Sequence, residues 1–224
     1  MNLALFDLDG TLLDGDSDHA FCQFVVNLGW ADPVDFARRN DAFYADYQAG
    51  CLDVHAYVEF ATAPWRGRDP AELAKATQRF MADVVQAMLK PAARALVERH
   101  RGQGDRLALV TATNDFVTRP IAQALGIGTL IATNLERDAQ GRATGAIAGV
   151  PSFREGKVTR VENWLAAEGL TLASFPRSIF YSDSTNDLPL LERVSHPVAT
   201  NPGPALESLA AQRGWPILKL FQHD

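Results

Sequence analysis

From Pro91 onward the chain alternates short apolar runs with stretches of helical spacing, and this alternation limits the possible folds more than any other feature. A helix with Leu96 and Val97 precedes the strand Leu107-Ala108-Leu109-Val110. A helix around Ile121 to Leu125 follows, ended by Gly126, and then the short strand Leu130-Ile131. Residues 133–150, rich in Thr, Gly and Asp, suggest a hairpin. Next come a helix over about 155–168, the strand Ser178-Ile179-Phe180-Tyr181, a helix through Leu190-Leu191 and the strand Pro197-Val198-Ala199. A helix near Leu206 to Leu209 and a last strand at Ile217-Leu218 complete the series. Repeated βα units imply a parallel sheet covered by helices on both faces. Right-handed crossovers then gather every strand-to-helix turn on one edge, where open α/β sheets bind ligands.

The apolar run Leu3 to Leu8 is broken at Gly10 and reads as a further buried strand. Between it and Pro91 the pattern is helical. Phe21, Phe24, Val25 and Leu28 lie at i, i+3, i+4 and i+7, and Leu73, Ala76, Phe80 and Val84 continue the theme. Asp32-Pro33, Ala63-Pro64 and Asp69-Pro70 punctuate it as turns or helix starts. The expected organisation is an α/β, doubly wound Rossmann-like core from residues 1–15 and 88–224, with residues 16–87 inserted as a helical cap over the first strand-to-helix turn.

The 224 residues suffice for such a core and its insert. A formal charge of −6 repels nucleic-acid phosphates and anionic lipid, so neither is expected as an extended partner. No run approaches the roughly 20 apolar residues that cross a bilayer, and the start meets Asp7 without a basic stretch, which argues against a secretory signal. Cys22 and Cys51 form no paired motif, so a cytoplasmic setting is the expectation.

Polar residues close three of the apolar runs: Asp7-Leu8-Asp9-Gly10-Thr11, Thr111 after Leu109-Val110, and Asp183 after Phe180-Tyr181-Ser182. A fourth piece, Glu155-Gly156-Lys157, opens a helix. Parallel strands would bring these pieces to one sheet edge. Asp7 and Asp183 on neighbouring strands would repel unless a cation lay between them. Magnesium is the natural choice, since it takes oxygen ligands and binds through one or two carboxylates plus substrate phosphate. Asp9 would share that side as a general acid and base, and Thr111 would offer a hydroxyl to a phosphoryl oxygen. Lys157 taken alone reads as a solvated lysine, although a cation in a first helical turn opposes the helix dipole unless an anion is held there.

Other chemistries fail on spacing. A calcium loop counted from Asp14 would need Gly at His19 and Glu at Val25, and counted from Asp7 it would need them at Leu12 and Asp18. A dinucleotide loop would need three glycines where only Gly10 stands. A G-x-S-x-G elbow is absent. Thr113 and Asn114 read as helix caps, and His19, His55, His100 and His196 read as core or surface residues.

Asp7-x-Asp9-Gly10-Thr11, Thr111, Lys157 and Asp183-Ser184-Thr185-Asn186-Asp187 stand in the order of the four motifs of the haloacid dehalogenase superfamily, and the position of the helical insert resembles its phosphoserine phosphatase-like branch. The resemblance implies a phosphomonoester hydrolase in which Asp7 attacks phosphorus and Asp9 protonates the leaving oxygen and then activates water. It implies Mg²⁺ on the Asp7 carboxylate, the Asp9 carbonyl and Asp183, with Asn186 and Asp187 orienting its outer shell, and Thr111 and Lys157 on the phosphoryl group. A phosphotransferase, or a non-catalytic protein binding magnesium and phosphate, would share these motifs. The chain departs from the branch in having Ala112-Thr113 where two glycines are usual, and Asp16 nearest the place of its amine-binding glutamate. Arg66 and Arg68 are the candidates for its carboxylate-binding arginine. The expected substrate is a small organic phosphate: phosphoserine, histidinol phosphate or a similar amino-alcohol phosphate.

Overall fold

The computed structural model describes residues 1–221. Six strands form one parallel sheet: β1 (Leu3–Phe6), β2 (Arg106–Asn114), β3 (Thr129–Thr133), β6 (Ser178–Ser182), β7 (His196–Thr200) and β8 (Ile217–Leu218). Their order is β3-β2-β1-β6-β7-β8, with β1 at the centre and parallel pairing throughout. The chain thus starts in the middle and builds outward to both edges, the arrangement that places a switch point beside β1. The expected hairpin is present as β4 (Leu135–Arg137) paired antiparallel with β5 (Ala143–Ile147).

Two apolar cores cover the sheet's two faces. Leu3, Leu5, Ala108, Val110 and Phe180 point to one face, where they meet α8 (Glu155–Ala166), α9 (Leu188–Leu191) and α10 (Pro204–Arg213). Ala4, Phe6, Leu109 and Tyr181 point to the other, beneath α6 (Pro91–Gly102) and α7 (Asp115–Ala124). Adjacent residues on opposite faces, both buried, are what continuous apolar strands require.

The helical segment comprises α1 (Ser17–Asn27), α2 (Asp35–Gln48), α3 (Val54–Thr62) and α4 (Pro70–Phe80), the last continued by a wide turn at Met81–Val85 and a short α5 (Gln86–Met88). Asp69 caps α4 through Ala71 and Glu72, as Asp-Pro at a helix start predicts. Phe21 and Phe24 pack on Phe80, with centroids 5.0 and 5.5 Å apart. The wide turn adds a residue to the helical cycle. It moves Val85, rather than the expected Val84, into the core. Among the described residues no helix is long and apolar enough to cross a membrane.

Candidate active site

β1 ends at Phe6, two residues short of the expected Leu8, because the chain turns there. Asp7 still bonds through its N–H to the Tyr181 carbonyl, so it is the first residue past the strand. Gly10 makes the turn at φ +69°, and a Cβ there would lie 2.3 Å from Asp183 Oδ2. Only glycine lets the β1 turn sit so close to the carboxylate after β6. Thr11 completes the link: its hydroxyl contacts Asp183 Oδ1 at 3.1 Å and accepts from the Asp183 N–H at 3.0 Å.

Lys157 is 1% exposed. It is not the solvated lysine that its position alone suggests, because its stem reaches from the first turn of α8 into the sheet edge. Nζ donates to Asp7 Oδ1 at 2.9 Å and to Asp187 Oδ2 at 2.8 Å. Gly156 makes this approach possible, since a Cβ there would meet the Pro151 carbonyl oxygen at 2.0 Å. Burial alone would discharge the amine, but the carboxylates of Asp187 and Asp7 hold its pKa above the ordinary lysine value. Ser182 donates to Asp187 Oδ2 at 2.7 Å, fixing that carboxylate against the lysine. Asn186 lies farther out, with Nδ2 on the Tyr47 carbonyl at the end of α2.

Asp9 is gripped from two sides. The Ser17 N–H donates to Oδ1 at 2.6 Å and the Thr113 hydroxyl to Oδ2 at 2.8 Å. Burial, then the nearby charge of Asp16, pushes its carboxyl up to about 7, against the lowering effect of Ser17 and Thr113. Such a carboxyl can carry a proton near neutrality, as a general acid must. Asp7 is also raised to about 7, by burial first, with Lys157 opposing and Asp187 adding to the rise.

The site therefore has more buried carboxylate than cation. Burial and the charges of Asp7 and Asp187 hold Asp183 well above the ordinary aspartate value, and Lys157 is the ammonium bonded to this group. A second positive charge would relieve the repulsion, and the donors on offer are all oxygens, which suits a hard divalent cation. Among the described residues no three His, Cys, Asp or Glu side chains gather closely enough to hold a metal alone. A cation here would complete its shell with backbone oxygen, water and substrate, as magnesium does.

Asp7, Asp9, Thr111 and Thr113 line one side of a pocket whose other side comes from the helical segment, including Asp16, Asp18, Asn40, Tyr44 and Tyr57. Asp16 caps α1 through the His19 N–H. Arg66 and Arg68, the arginines offered for a substrate carboxylate, do not reach this pocket. Arg66 bonds the Thr144 carbonyl at the β4–β5 hairpin, and Arg68 lies over Trp30 and pairs with Glu72. Both are held by partners on a different surface. His19 also departs from expectation, since it lines the pocket.

The acidic stretch from Asp14 to Asp18 suggests a site for a cationic organic phosphate from sequence alone, and Asp16 and Asp18 do line the pocket, whereas sequence reasoning missed the roles of Ser17, Thr113, Asn40 and Ser182. Asn114 is the true cap of α7, accepting from Phe116 and Val117, whereas β2 continues past Val110 through Asn114. Thr113 follows Thr111 by two residues, the spacing that returns a side chain to the same side of a strand; that was the available signal. Asn40 reaches the pocket only through helix packing, while Ser17 and Ser182 act on the carboxylates of Asp9 and Asp187.

The haloacid dehalogenase-like hydrolase family matches this chain over residues 4–192. A histidinol-phosphatase from Neisseria meningitidis is 45% identical over 217 residues, covering 97% of this chain and 98% of its own. A phosphoserine phosphatase from Mycobacterium tuberculosis is 32% identical, over 96% of this chain and 69% of its own. Among solved structures, a protein from Bordetella pertussis Tohama I is 50% identical with a TM-score of 0.92, covering 98% of each chain. A substrate-bound phosphoserine phosphatase shares the fold at 17% identity and a TM-score of 0.69, covering 97% of this chain and 92% of its own. The chain belongs to the haloacid dehalogenase-like hydrolase family, among its phosphoric monoester hydrolases.

Proposed function

We propose that this enzyme hydrolyses a cationic amino-alcohol phosphate, with histidinol phosphate the leading candidate, through an aspartyl-phosphate formed on Asp7. The observation that carries this reading is the pairing of a carboxylate at the end of the central strand, bonded to buried Lys157, with a second carboxylate held separately by Ser17 and Thr113. Two carboxylates with different partners can take different tasks.

In the first step an Asp7 oxygen attacks phosphorus and the P–O bond to the alcohol breaks. Asp9 gives its proton to the departing alkoxide. In the second, Asp9, now ionised, takes a proton from water as the water oxygen attacks the aspartyl-phosphate. The acyl-phosphate P–O bond breaks, inorganic phosphate leaves and the Asp7 carboxylate returns. Lys157 keeps Asp7 oriented and supplies positive charge where phosphoryl oxygens would lie, and Thr111 offers its hydroxyl there. Mg²⁺ held by Asp7, Asp183 and the Asp9 carbonyl would neutralise the transferring group's charge. Asp187, bonded to Lys157 and Ser182, positions the lysine.

The substrate class rests on the other side of the pocket. Asp16 and Asp18 face it, and neither Arg nor Lys is among the residues lining it. A carboxylate-bearing ester would meet repulsion there, whereas an ammonium or imidazolium would be favoured. Tyr44 and Tyr57 add aromatic surface suited to a cation or a planar ring. The 45% identity to a protein named histidinol-phosphatase supports the same substrate.

Phosphate release from histidinol phosphate and from phosphoserine, with MgCl₂, tests the reading. The first ester is expected to turn over with the higher kcat/KM, and Asp7→Asn is expected to lower kcat by at least about 10³-fold. Acid-quenched mixtures with ³²P-labelled ester should carry label on the wild type and none on Asp7→Asn. Unlabelled wild-type protein during active turnover would refute the covalent route, and preference for phosphoserine would refute the substrate class.

A further inference from the structure

The wall that α1, α2 and α3 give to the pocket contains one buried group with an unmet need. Asn40, on α2, is 2% exposed and lines the pocket. Its Nδ2 donates to the His19 carbonyl at 3.2 Å. That bond decides which way the amide faces, and it leaves Oδ1 buried without a hydrogen-bond partner among the described residues. A buried acceptor almost always has a donor, and because Asn40 is one of the residues lining the pocket, a ligand that enters it is the natural source of that donor.

The neighbours narrow the donor's chemistry. Asp18, also buried, accepts from Asn114 Nδ2 at 3.2 Å and is hydrogen-bonded by Tyr57. Asp16 stands beside it on the same wall. Acceptors therefore dominate this end of the pocket. A group entering it must bring N–H or O–H bonds and, for preference, positive charge. A carboxylate would face Asp16 and Asp18 and would offer Asn40 Oδ1 another acceptor.

We propose that Asn40 Oδ1 is a specificity-determining acceptor for an N–H group, ammonium or imidazolium, on the alcohol half of the substrate. This rests on the phosphatase reading for its place in catalysis, but it concerns binding and has a separate readout. L-histidinol, the alcohol without its phosphate, probes it directly by calorimetry on the magnesium-loaded protein. Asn40→Leu, which keeps the branching of the side chain and replaces both amide atoms with methyls, should weaken histidinol binding about tenfold or more. Asn40→Asp keeps an acceptor and should bind at least as well as the wild type. The ratio of kcat/KM for histidinol phosphate to that for p-nitrophenyl phosphate should fall about tenfold in Asn40→Leu.

A folded Asn40→Leu protein that binds histidinol as the wild type does would overturn the proposal. So would an equal loss on both phosphate esters. If Asn40→Leu does not fold, the wild type still decides, because 3-phenylpropanol presents no N–H: comparable binding of the two alcohols refutes the role, and selective binding of histidinol together with a competent Asn40→Asp supports it. Histidinol binding that depends on Asn40 in a protein releasing no phosphate would keep the subsite and reject the reaction. Turnover of histidinol phosphate indifferent to Asn40 would do the reverse.

Discussion

Two buried polar clusters flank the central strand, and they use similar residues to opposite ends. Past the finishing ends of β1 and β6, Asp7 and Asp187 bond Lys157 while Asp183 is held by Thr11, and burial with mutual repulsion holds the carboxyls of Asp7 and Asp183 above their ordinary values. Near the starting ends of β1 and β2, Asp105 joins His100 Nδ1 at 2.8 Å, His100 Nε2 joins the Tyr181 hydroxyl at 2.8 Å, and the Asn2 N–H and Nδ2 bond Asp105 Oδ1 at 2.8 and 3.0 Å. Phe6 stacks on Tyr181 and meets His100 edge-on. Burial works to raise Asp105 as well, yet the bonds from His100 and Asn2 overcome it and hold the carboxyl below its usual value. A closed network of this kind ties strands together; an open one, with charge left over, is ready to receive a ligand.

The largest effect separating the two regions should come from the closed network. His100→Ala leaves Asp105 and Tyr181 without a shared partner and should cost about 2–4 kcal/mol of stability in urea unfolding. The folded variant should keep kcat within about threefold of wild type, since His100 bonds Asp105 and the Tyr181 hydroxyl and none of the carboxylates of the site. A collapse of kcat in the folded protein would mean that the clusters are coupled.

A smaller effect is expected on the open side. Thr113→Val removes one of two donors to Asp9 and should lower kcat about 10–100-fold with the fold intact, and Thr113→Ser should recover most of the loss. Equal activity in Thr113→Val would show that the Ser17 N–H alone positions the carboxylate.

The smallest effect concerns acid. A carboxyl whose folded pKa is depressed adds stability that is present above its unfolded value, near 4, and is lost as pH falls through the folded value. Melting temperature followed from pH 5 to pH 2 should drop less steeply in Asp105→Asn, measured against its own value at pH 5, than in wild type. Asp7 and Asp9, raised to about 7, act with the opposite sign, their contribution fading as pH rises toward that value. An Asp105→Asn curve parallel to that of the wild type would remove the contrast.

Much of the architecture was legible because it follows from local pattern. Short apolar runs of two to six residues between helical stretches read as buried strands, and β1, β2, β3, β6 and β7 lie where those runs lie. The two-residue spacing of Asp7 and Asp9 and the glycine after them are likewise local, since a strand end followed by a tight turn leaves few conformations. Lys157 shows where this stops. Its neighbours in the sequence argue for solvent, and only the approach of α8 to β1, permitted by Gly156, carries its ammonium into a buried carboxylate pair.

The chain order of its residues by itself determined the α/β class, the sheet edge that bears chemistry and the carboxylates at the ends of β1 and β6, because period, breakers and strand ends are properties of neighbouring residues. Tertiary structure decided what each side chain faces. It made Thr113 a partner of Asp9 rather than a cap, sent Arg66 and Arg68 to another surface, and left Asn40 Oδ1 without a partner among the described residues. The reason is that hydrogen bonds and charge balance in a buried pocket depend on groups far apart in the chain, whose distances are set only when helices and sheet pack together.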